Sequence, residues 1–421
     1  MIPVSLKIYG WVNNKKEVGG IVFLEILHEF SLKPIVVVAK RNENEYAWKS
    51  AKKIRIGSAV EVVGEFKEKS ISRKGREFHP SSIRVLSEPS TKLPVDVTGK
   101  TKALLDTRIE YRYLTLRLPR ERAIFKVRAT LVKAAREFFE KEGFLEVHTP
   151  KICGAGAEGG ATVFSFDYFG STAYLSQSPQ LYKQMLIAGL PRVYEITPYF
   201  RAEKFDTPRH LNESWGIDAE IGFINGMEDV MKVLENLVVF IINYITDKCK
   251  EELSLLNVNP PKPKTPFKRI EYSKALELLK SEGLEIKWGD DLGTVEEAKL
   301  GEIMRREGHD FYFIIKYPWE AKPFYIMREG KLSYSFDLDC RGLELASGGQ
   351  REHRYSELVK NLIDKGLNPD NFKFYLDAFK HGMPPHGGFG LGVERLLMKI
   401  LEINNIREVI LFPRDRRRLV P

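Results

Sequence analysis

The pattern of apolar residues changes near residue 87, and this change constrains the fold more than any other feature of the sequence. Residues 1–87 contain five short apolar stretches, which read VSLKIYGWV, IVFLEIL, PIVVVA, SAVEVVGEF and FHPSSIRVLS. One helix-like stretch, NEYAWKSAKKI, separates the third from the fourth. Five strands with one intervening helix predict a Greek-key barrel of the oligonucleotide-binding type, although other small β-barrels share the pattern.

A polar connector, SEPSTKLPVDVTGKTK, follows the barrel, and the rest of the chain has longer elements. Apolar residues recur at helical spacing from Glu121 onward, and Gly143 stands where a helix C-terminal cap is expected. The next stretch, FLEVHTP, predicts a strand that stops at Pro150, which cannot donate to a ladder. We therefore predict an α+β chain with a barrel domain at 1–87, a linker or hinge at 88–118 and a second domain at 119–421.

Within the second domain, the pattern predicts one long helix between Met227 and Leu256, ended by the run NPPKPKTP. Residues from about 268 to 309 contain KALELLKSEG and EEAKLGEIM, which predict a small helical insertion. Strands are predicted afterwards in FYFIIKYP, PFYIM, YSFDLD and LELASGG. A chain of 421 residues exceeds what one core usually fills, which agrees with two domains.

Charge and cysteine content narrow the partners and the compartment. Lys and Arg number 66 against 57 Asp and Glu, and the net charge of +9 favours a polyanionic partner such as nucleic acid. The three cysteines are far apart without a CxxC pair, which argues against a disulfide framework and a thiolate zinc site. No signal-peptide pattern is present, and no apolar run could span a bilayer. We expect a cytoplasmic protein.

The strongest local motif is FRAE at residues 200–203, which a polar loop and a strand-like stretch follow. An arginine at the end of a strand, before a loop, can present its guanidinium fork to a phosphate. A surface hairpin with a salt bridge is the alternative interpretation. A second motif, GFGLGVERL at residues 388–396, lacks the preceding strand and acidic partner of a dinucleotide-binding turn. Its glycines instead suggest backbone packed beneath a nucleotide, with Arg395 reaching a phosphate.

Together with the Pro-terminated strand, these motifs occur in the order of the three motifs of class II aminoacyl-tRNA synthetases. Over nearly its whole length the chain resembles the archaeal type of aspartyl-tRNA synthetase, in the segments DTRIEYRYL, AEGGATVF, SQSPQLYKQ, FRAE, RHLNESWGIDAE, RGLELASGGQREH, PPHGGFGLGVERL and LFPRDRRRLVP. The resemblance implies an anticodon-binding barrel followed by a catalytic antiparallel sheet flanked by helices. It also implies that ATP activates L-aspartate to aspartyl-adenylate, which is then transferred to tRNA(Asp), with tRNA(Asn) left open as a second acceptor.

The resemblance assigns roles to residues of an ATP site. This chemistry needs no protein nucleophile, so the site has to position charged reactants and stabilise charge on a phosphoryl group. By the match, Arg201 contacts the α-phosphate and Arg395 the γ-phosphate, as the catalytic residues. The remaining ATP-binding positions are Glu203, His210, Glu344 and Gly392.

The resemblance also implies a Mg²⁺ site at Asp337 and Glu344. Hard oxygen ligands are those that Mg²⁺ prefers. Two acids on a solvated face of the sheet would be the structural alternative.

For the amino acid, Lys183 and Arg351 match the cations that hold the side-chain carboxylate of aspartate. The positions around the α-amino group are matched by Gln180, Glu158 and Asp218. Charge-assisted hydrogen bonds contribute on the order of 1.5–3 kcal/mol each, so two cations facing a neutral amide would discriminate strongly against asparagine. The resemblance therefore predicts that Lys183 selects aspartate.

The barrel departs from the family pattern. Phe23 matches the aromatic residue that stacks on an anticodon base, but Leu27 and His28 replace the usual Arg-Asp pair, and Pro34 replaces Gln. Proline has neither an N–H nor a side-chain amide, so it cannot read a base edge as glutamine would. Stacking tolerates any base, so we expect Phe23 to hold a nucleotide without identifying it.

Other functions compatible with the motifs are an asparaginyl-tRNA synthetase, an amidating relative that makes free asparagine, and a paralogue with altered tRNA recognition. Lys183 and the HGG sequence at 386–388 argue against the first, which usually lacks the lysine and has serine after the histidine. The barrel argues against the second, and the retained catalytic arginines and carboxylates against a binding-only form of the third. The first family motif, around His148 to Pro150, implies a homodimer.

Overall fold

The computed structural model describes residues 6–29, 31–67, 77–154, 162–204 and 206–421. The chain folds as two compact units, Met1–Lys126 with Ser254–Leu256 and Pro421, and Val127–Leu253 with Asn257–Val420. Within the described ranges, no helix combines the length and the apolar character needed to cross a membrane.

The first unit begins with five strands and one helix, whose bounds are β1 (Leu6–Val18), β2 (Ile21–His28), β3 (Ile35–Lys40), α1 (Glu45–Lys53), β4 (Ala59–Phe66) and β5 (Glu77–Ser87). The strands close a barrel in the order β1-β2-β3-β5-β4, in which β3 and β5 are parallel and the other pairs antiparallel. Buried aliphatic side chains fill its interior. The predicted five-stranded barrel with its single helix is confirmed.

Local sequence explains where α1 begins. The Asn44 side chain accepts a hydrogen bond from the backbone N–H of Ala47 at 2.9 Å, which satisfies a donor that the first turn leaves unpaired. Glu45 lies in the first turn, and Lys52 and Lys53 lie in the last, so all three charges complement the helix dipole.

The connector contains two short helices, α2 (Leu105–Glu110) and α3 (Arg112–Thr115), before the long helix α4 (Pro119–Lys141). Arg108 and Arg112 each donate from Nη1 to the carboxylate of Glu121, at 2.7 Å and 2.6 Å. All three side chains are buried. This ion cluster ties the two short helices to the start of α4, whereas the sequence had suggested a polar linker. The domain boundaries inferred from the sequence remain predictions.

The rest of the chain contributes these strands and helices in order: β6 (Leu145–Glu146), β7 (Ile152–Cys153), β8 (Ser165–Tyr168), β9 (Ser171–Leu175), α5 (Gln180–Leu186), β10 (Arg192–Phe200), β11 (Glu213–Gly222), α6 (Met227–Lys248), α7 (Lys250–Leu256), β12 (Lys268–Glu271), α8 (Tyr272–Ser281), α9 (Thr294–Arg306), β13 (Phe311–Ile315), β14 (Arg328–Glu329), β15 (Leu332–Ser333), β16 (Ser335–Cys340), β17 (Glu344–Gln350), α10 (Tyr355–Asp364), α11 (Lys373–Phe379), β18 (His386–Gly392) and α12 (Val393–Ile400). Single 3₁₀ turns occur at Trp319–Ala321, Pro369–Phe372 and Ile406–Glu408.

An eight-stranded sheet forms the centre of the second unit, in the order β12-β13-β16-β17-β18-β11-β10-β6. Its strands are antiparallel except for the outermost pair at each edge. Helix α6 packs on β17 and β18, and α12 packs against β11, β17 and β18. The predicted antiparallel sheet flanked by helices is confirmed.

Several elements differ from their predicted form. The helix expected from Met227 to Leu256 breaks at Cys249 into α6 and α7, and only two residues of FLEVHTP pair as β6. The predicted helical insertion also supplies β12, the edge strand beside β13. The strand predicted at PFYIM is wrong, because Phe324 and Tyr325 pack into a buried hydrophobic cluster from an irregular loop.

Candidate active site

A cavity of about 270 Å³ lies over the central strands of the second unit. The site residues predicted from the sequence that line this cavity are Gln180, Arg201, Glu203, His210, Asp218, Glu344, Arg351, Gly392 and Arg395. Lys183 is buried behind Asp218, and Asp337 is buried beside Lys322. Glu158 lies outside the described residues, and Phe23 belongs to the barrel. Residues distant in sequence thus meet at one place.

At one end of the cavity, helix α5 directs Lys183 toward strands β11 and β18. Its ammonium donates to Asp218 Oδ1 at 2.8 Å and to the carbonyl of Phe389 at 2.8 Å. It also lies 3.4 Å from Glu220 Oε2. A buried ammonium needs such partners, because burial of an unpaired charge is strongly unfavourable.

Arg351 follows β17 and contacts Glu220, one of the two carboxylates beside Lys183. Its Nε donates to Glu220 Oε1 at 2.9 Å, and its Nη2 lies 3.2 Å from Glu220 Oε2 and 3.4 Å from Gln180 Oε1. Burial by itself would raise the pKa of Glu220, but Arg351 and Lys183 outweigh it and hold this pKa below its usual range. Glu220 therefore stays ionised between two buried cations.

Glu220 was not predicted from the sequence, although a signal was present. It stands two residues after Asp218 on β11, and residues two apart on a strand face the same side. A β-carbon at Gly388 would lie 2.1 Å from Glu220 Oε2, so the glycine leaves room for this carboxylate. Asp218 is also bonded by the hydroxyl of Tyr199, another cavity residue that was not predicted.

The other end of the cavity carries the two arginines predicted for phosphate binding. Arg201 directly follows β10, and 47% of its side chain is exposed, with Nη1 4.0 Å from Glu203 Oε1. Arg395 on α12 donates to the carbonyl of Glu344 at 2.9 Å, and the same nitrogen lies 3.7 Å from Glu344 Oε1. Both guanidinium groups line the cavity, where they can meet a triphosphate.

His210 lies in the segment between β10 and β11. Its Nδ1 is 2.6 Å from Thr207 Oγ1. Burial and the positive charge of Arg395 lower the pKa of His210, so its ring is neutral near neutral pH. A neutral imidazole can donate a hydrogen bond to a phosphate oxygen.

The two carboxylates predicted for Mg²⁺ lie on neighbouring strands. Asp337 on β16 accepts from Lys322 Nζ at 2.8 Å through Oδ2, whereas its buried Oδ1 has no hydrogen-bond partner within the described part of the chain. Burial raises the pKa of Glu344 on β17, and the charge of Asp337 adds to this. Lys322 and Arg395 compensate part of this negative charge, and the unpaired Oδ1 of Asp337 and the buried carboxyl of Glu344 are oxygen ligands of the kind that Mg²⁺ prefers.

The number of carboxylates also fits Mg²⁺. No group of three or more His, Cys, Asp or Glu side chains suited to a metal ion occurs among residues 6–29, 31–67, 77–154, 162–204 and 206–421. Mg²⁺ commonly uses one or two carboxylates together with substrate phosphates and water. Asp337 and Glu344 are the two carboxylates that such a site would use.

Two further charged residues near the cavity had no local signal in the sequence. Lys322 reaches Asp337 from the end of the 3₁₀ turn at Trp319–Ala321, and its ammonium lies 3.6 Å from the ring centroid of Tyr317. Glu297 comes from α9 and pairs with Arg209 at 2.8 Å. Burial, with the neighbouring charge of Glu344, raises the pKa of Glu297 to about 7. Only the tertiary fold brings these side chains to the site.

In the barrel, the residues that depart from the family pattern have different environments. Phe23 is half-buried on β2, between neighbours that face the core. Leu27 is fully buried, so its side chain cannot contact a nucleotide. His28 Nδ1 lies 2.7 Å from the carbonyl of Tyr9, and Pro34 is half-buried just before β3.

Residues 105–416 match the family described as tRNA synthetases class II (D, K and N). The Aspartate--tRNA(Asp) ligase of Pyrococcus furiosus is 50% identical over 421 residues, covering 99% of this chain and 96% of that protein. The Aspartate--tRNA(Asp/Asn) ligase of Methanopyrus kandleri is 47% identical over 419 residues, with 99% and 96% covered. Asparaginyl-tRNA synthetase from Pyrococcus horikoshii, solved with asparaginyl-adenylate, superposes with a TM-score of 0.92 at 35% identity, covering 99% of this chain and 96% of that one. Aspartyl tRNA synthetase from Entamoeba histolytica gives 0.86 at 33% identity, with 99% and 90% covered.

The antiparallel sheet and the cavity with cations at both ends define a class II aminoacyl-tRNA synthetase, an enzyme that uses ATP to join an amino acid to tRNA. The family match spans most of the chain, and the relatives align along nearly their whole length. The chain belongs to the family of class II tRNA synthetases (D, K and N).

Proposed function

We propose that the protein is an aspartate–tRNA ligase that forms aspartyl-adenylate from L-aspartate and ATP and transfers the aspartyl group to tRNA(Asp). The observation that carries this proposal is the buried pair of cations, Lys183 and Arg351, at the end of the cavity opposite Arg201 and Arg395. A small amino acid with a negative side chain fits between cations at one end and a triphosphate at the other.

The charges at the amino acid end suggest how aspartate is bound. Lys183 and Arg351 are compensated by Asp218 and Glu220 when no substrate is present. An incoming α-ammonium group can pair with Asp218, which lines the cavity, and Asp218 then no longer neutralises Lys183. The aspartate side chain can take its place beside Lys183 and Arg351. When aspartate binds in this way, every buried charge remains paired. The neutral side-chain amide of asparagine would instead leave Lys183 or Arg351 without an anionic partner.

The arginines at the other end suggest how the first chemical step is assisted. Attack of the α-carboxylate on the α-phosphate moves negative charge onto phosphoryl oxygens and onto the leaving pyrophosphate. Arg201 is placed to stabilise the first of these charges and Arg395 the second, with neutral His210 donating a hydrogen bond. Asp337 and Glu344 would hold Mg²⁺, which supplies further positive charge to the phosphates when bound. Catalysis in this scheme is positioning and charge stabilisation.

The second step requires tRNA, and the barrel is proposed to bind the anticodon through Phe23. The relatives differ in this respect, because the Pyrococcus furiosus enzyme is named for tRNA(Asp) and the Methanopyrus kandleri enzyme for tRNA(Asp/Asn). Pro34 provides no side-chain donor or acceptor to distinguish a base. We therefore keep tRNA(Asn) as a second possible acceptor, to be tested with separate transcripts of the two tRNAs.

An asparagine–tRNA ligase is the second candidate, because an asparaginyl-tRNA synthetase superposes with a TM-score of 0.92. Pyrophosphate exchange into ATP, with aspartate or asparagine as the amino acid, decides between them. We expect exchange with aspartate only. The reverse preference would refute the proposed substrate, and no exchange with either would favour a paralogue that does not activate amino acids.

Lys183→Met tests the residue assigned to aspartate selection, with Lys360→Met, an exposed lysine on α10, as the control. Loss of a buried charged contact should raise the KM for aspartate by roughly tenfold to a hundredfold. The control should behave as the unchanged protein. An unaltered aspartate KM in Lys183→Met would remove this residue from the proposal.

The proposal also includes a homodimer and a cytoplasmic location, the compartment in which such an enzyme would charge tRNA. Sedimentation in an analytical ultracentrifuge tests the first, because a stable monomer at micromolar concentration would contradict it.

A further inference from the structure

Helix α9 and the turn between β16 and β17 approach each other more closely than side chains would allow. A β-carbon on Gly301 would lie 2.2 Å from the backbone nitrogen of Gly342. Gly342 has a φ of 72°, in the left-handed region, and a β-carbon there would lie 2.7 Å from Ala298 Cα. The two glycines therefore place α9 directly against the hairpin that carries Asp337 and Glu344.

This contact brings Glu297 to the edge of the ATP site. Glu297 lies four residues before Gly301, so both are on the same face of α9. Its Oε2 accepts from Arg209 Nη1 at 2.8 Å. Arg209 in turn donates from Nη2 to the carbonyl of Gly342 at 3.2 Å. Two hydrogen bonds from Arg209 thus connect the helix, the hairpin and the segment between β10 and β11.

The ion pair between Arg209 and Glu297 is largely shielded from water. Only 21% of the Arg209 side chain and 16% of the Glu297 side chain are exposed, so water screens their attraction less than it would on the surface. Arg209 lines the cavity and immediately precedes His210, which is assigned to the triphosphate. Any movement of Arg209 would therefore also displace His210.

We propose that Glu297 is a positioning residue for adenylation: its carboxylate fixes Arg209, and Arg209 holds residues 206–211 in the conformation that receives the triphosphate. The inference rests on the proposed function, since it takes ATP to be the substrate in the cavity. Glu297 lies on α9, outside the sequence motifs through which the chain resembles the family, although within the matched residues 105–416. Glu297 acts through Arg209 and does not itself touch the substrate.

The first test is Glu297→Gln, assayed at about pH 8, where a carboxyl group with a pKa of about 7 is mostly ionised, so the substitution keeps the shape of the side chain but removes its charge. Arg209 then loses its ionic partner, and the loop that bears His210 is held less firmly. We expect the KM for ATP to rise about tenfold, with the KM for the amino acid unchanged. Glu302→Gln is the matched control, because Glu302 is an exposed residue of α9 paired with Lys299 at 3.1 Å. The control should leave both constants unchanged.

A double-mutant cycle identifies Arg209 as the partner. Arg209→Gln and Glu297→Gln should each weaken ATP binding, and the double variant should be no weaker than the poorer single variant. Additive effects would mean that the two residues act independently, which overturns the proposed mechanism. Equal rises in the KM for ATP and for the amino acid would indicate general damage and would also overturn it.

Equilibrium binding of ATP by calorimetry separates this inference from the proposed function. Binding is measured without an amino acid, so the comparison of Glu297→Gln with the unchanged protein stands whichever amino acid is activated. If aspartate supports no exchange but Glu297→Gln still binds ATP about tenfold more weakly, the proposed substrate fails and the role of Glu297 holds. If both proteins bind ATP equally well, the role of Glu297 is refuted.

Discussion

At the amino acid end of the cavity, the surroundings of Glu220 and His386 determine whether each side chain is charged. Glu220 remains ionised because Arg351 and Lys183 adjoin it, and His386 is kept neutral because it is completely buried. The His386 ring lies 2.9 Å from the carbonyl of Pro384 through Nδ1. The pKa values of both groups in the folded protein lie below those of the unfolded chain, so folding and pH are coupled.

His386 provides a test of this coupling. Burial lowers its pKa from the usual 6.5 to about 4, so below 6.5 the unfolded chain takes up a proton that the folded chain refuses. The stability contribution is complete above the unfolded pKa and is lost as the pH falls from 6.5 toward 4. Between about pH 7.5 and about pH 5, the free energy of unfolding should fall by about 2 kcal/mol more in the native protein than in His386→Asn.

Urea unfolding at the two pH values measures this difference. Other groups that titrate in the same range occur in both proteins, so their contribution cancels in the comparison. Identical losses of stability in the two proteins would show that His386 is not the group responsible.

Among the strands and helices, the pair β11 and β18 has the greatest influence on the site. Asp218 and Glu220 project from β11, and β18 runs beside them as the glycine-rich sequence HGGFGLG. The glycines allow β18 to lie close to these carboxylates. This glycine-rich segment is therefore a strand that lines the pocket and not a dinucleotide-binding turn. Helix α12 follows β18 at once and carries Arg395 to the other end of the cavity.

Gly388→Ala tests whether the Glu220 side chain needs the space that this glycine of β18 leaves open. The new β-carbon would lie 2.1 Å from the carbonyl of Ala219 and 2.1 Å from Glu220 Oε2, so the strand or the carboxylate must move. We expect a loss of stability on the order of 2 kcal/mol and an increase of at least about tenfold in the KM for aspartate. Thermal unfolding and pyrophosphate exchange measure the two effects. Gly189→Ala, where a β-carbon would meet open space, should change neither.

The two compact units divide the proposed activity between them. The second unit contains the whole cavity, and the first unit contains the barrel with Phe23. If the barrel binds the anticodon, a substitution there should affect the use of tRNA and leave amino acid activation intact. The two effects should be separable because the barrel and the cavity belong to units with separate hydrophobic cores.

Phe23→Ala examines this division. Stacking on one base contributes roughly 1–3 kcal/mol, so without it the KM for a tRNA(Asp) transcript should rise between about fivefold and about 150-fold. Pyrophosphate exchange, which needs no tRNA, should proceed at the original rate. Tyr46→Ala is the control, because Tyr46 is an exposed aromatic residue on α1 of the same unit. A change in exchange, or an equal effect of Tyr46→Ala, would contradict the assignment.

Local patterns in the amino-acid sequence predicted a five-stranded barrel, and the family resemblance of the motifs implied the antiparallel sheet and most of the cavity residues. Alternation in the strands and helical spacing from Glu121 reflect burial of one face, which is a local property. The arginines at 201 and 395 stand within motifs, so they could be found without coordinates. The pairing of charges around the cavity could not be predicted without coordinates. Glu220, Lys322 and Glu297 acquire their partners only when separate segments pack together, because ion pairing depends on distance in space and on exclusion of water.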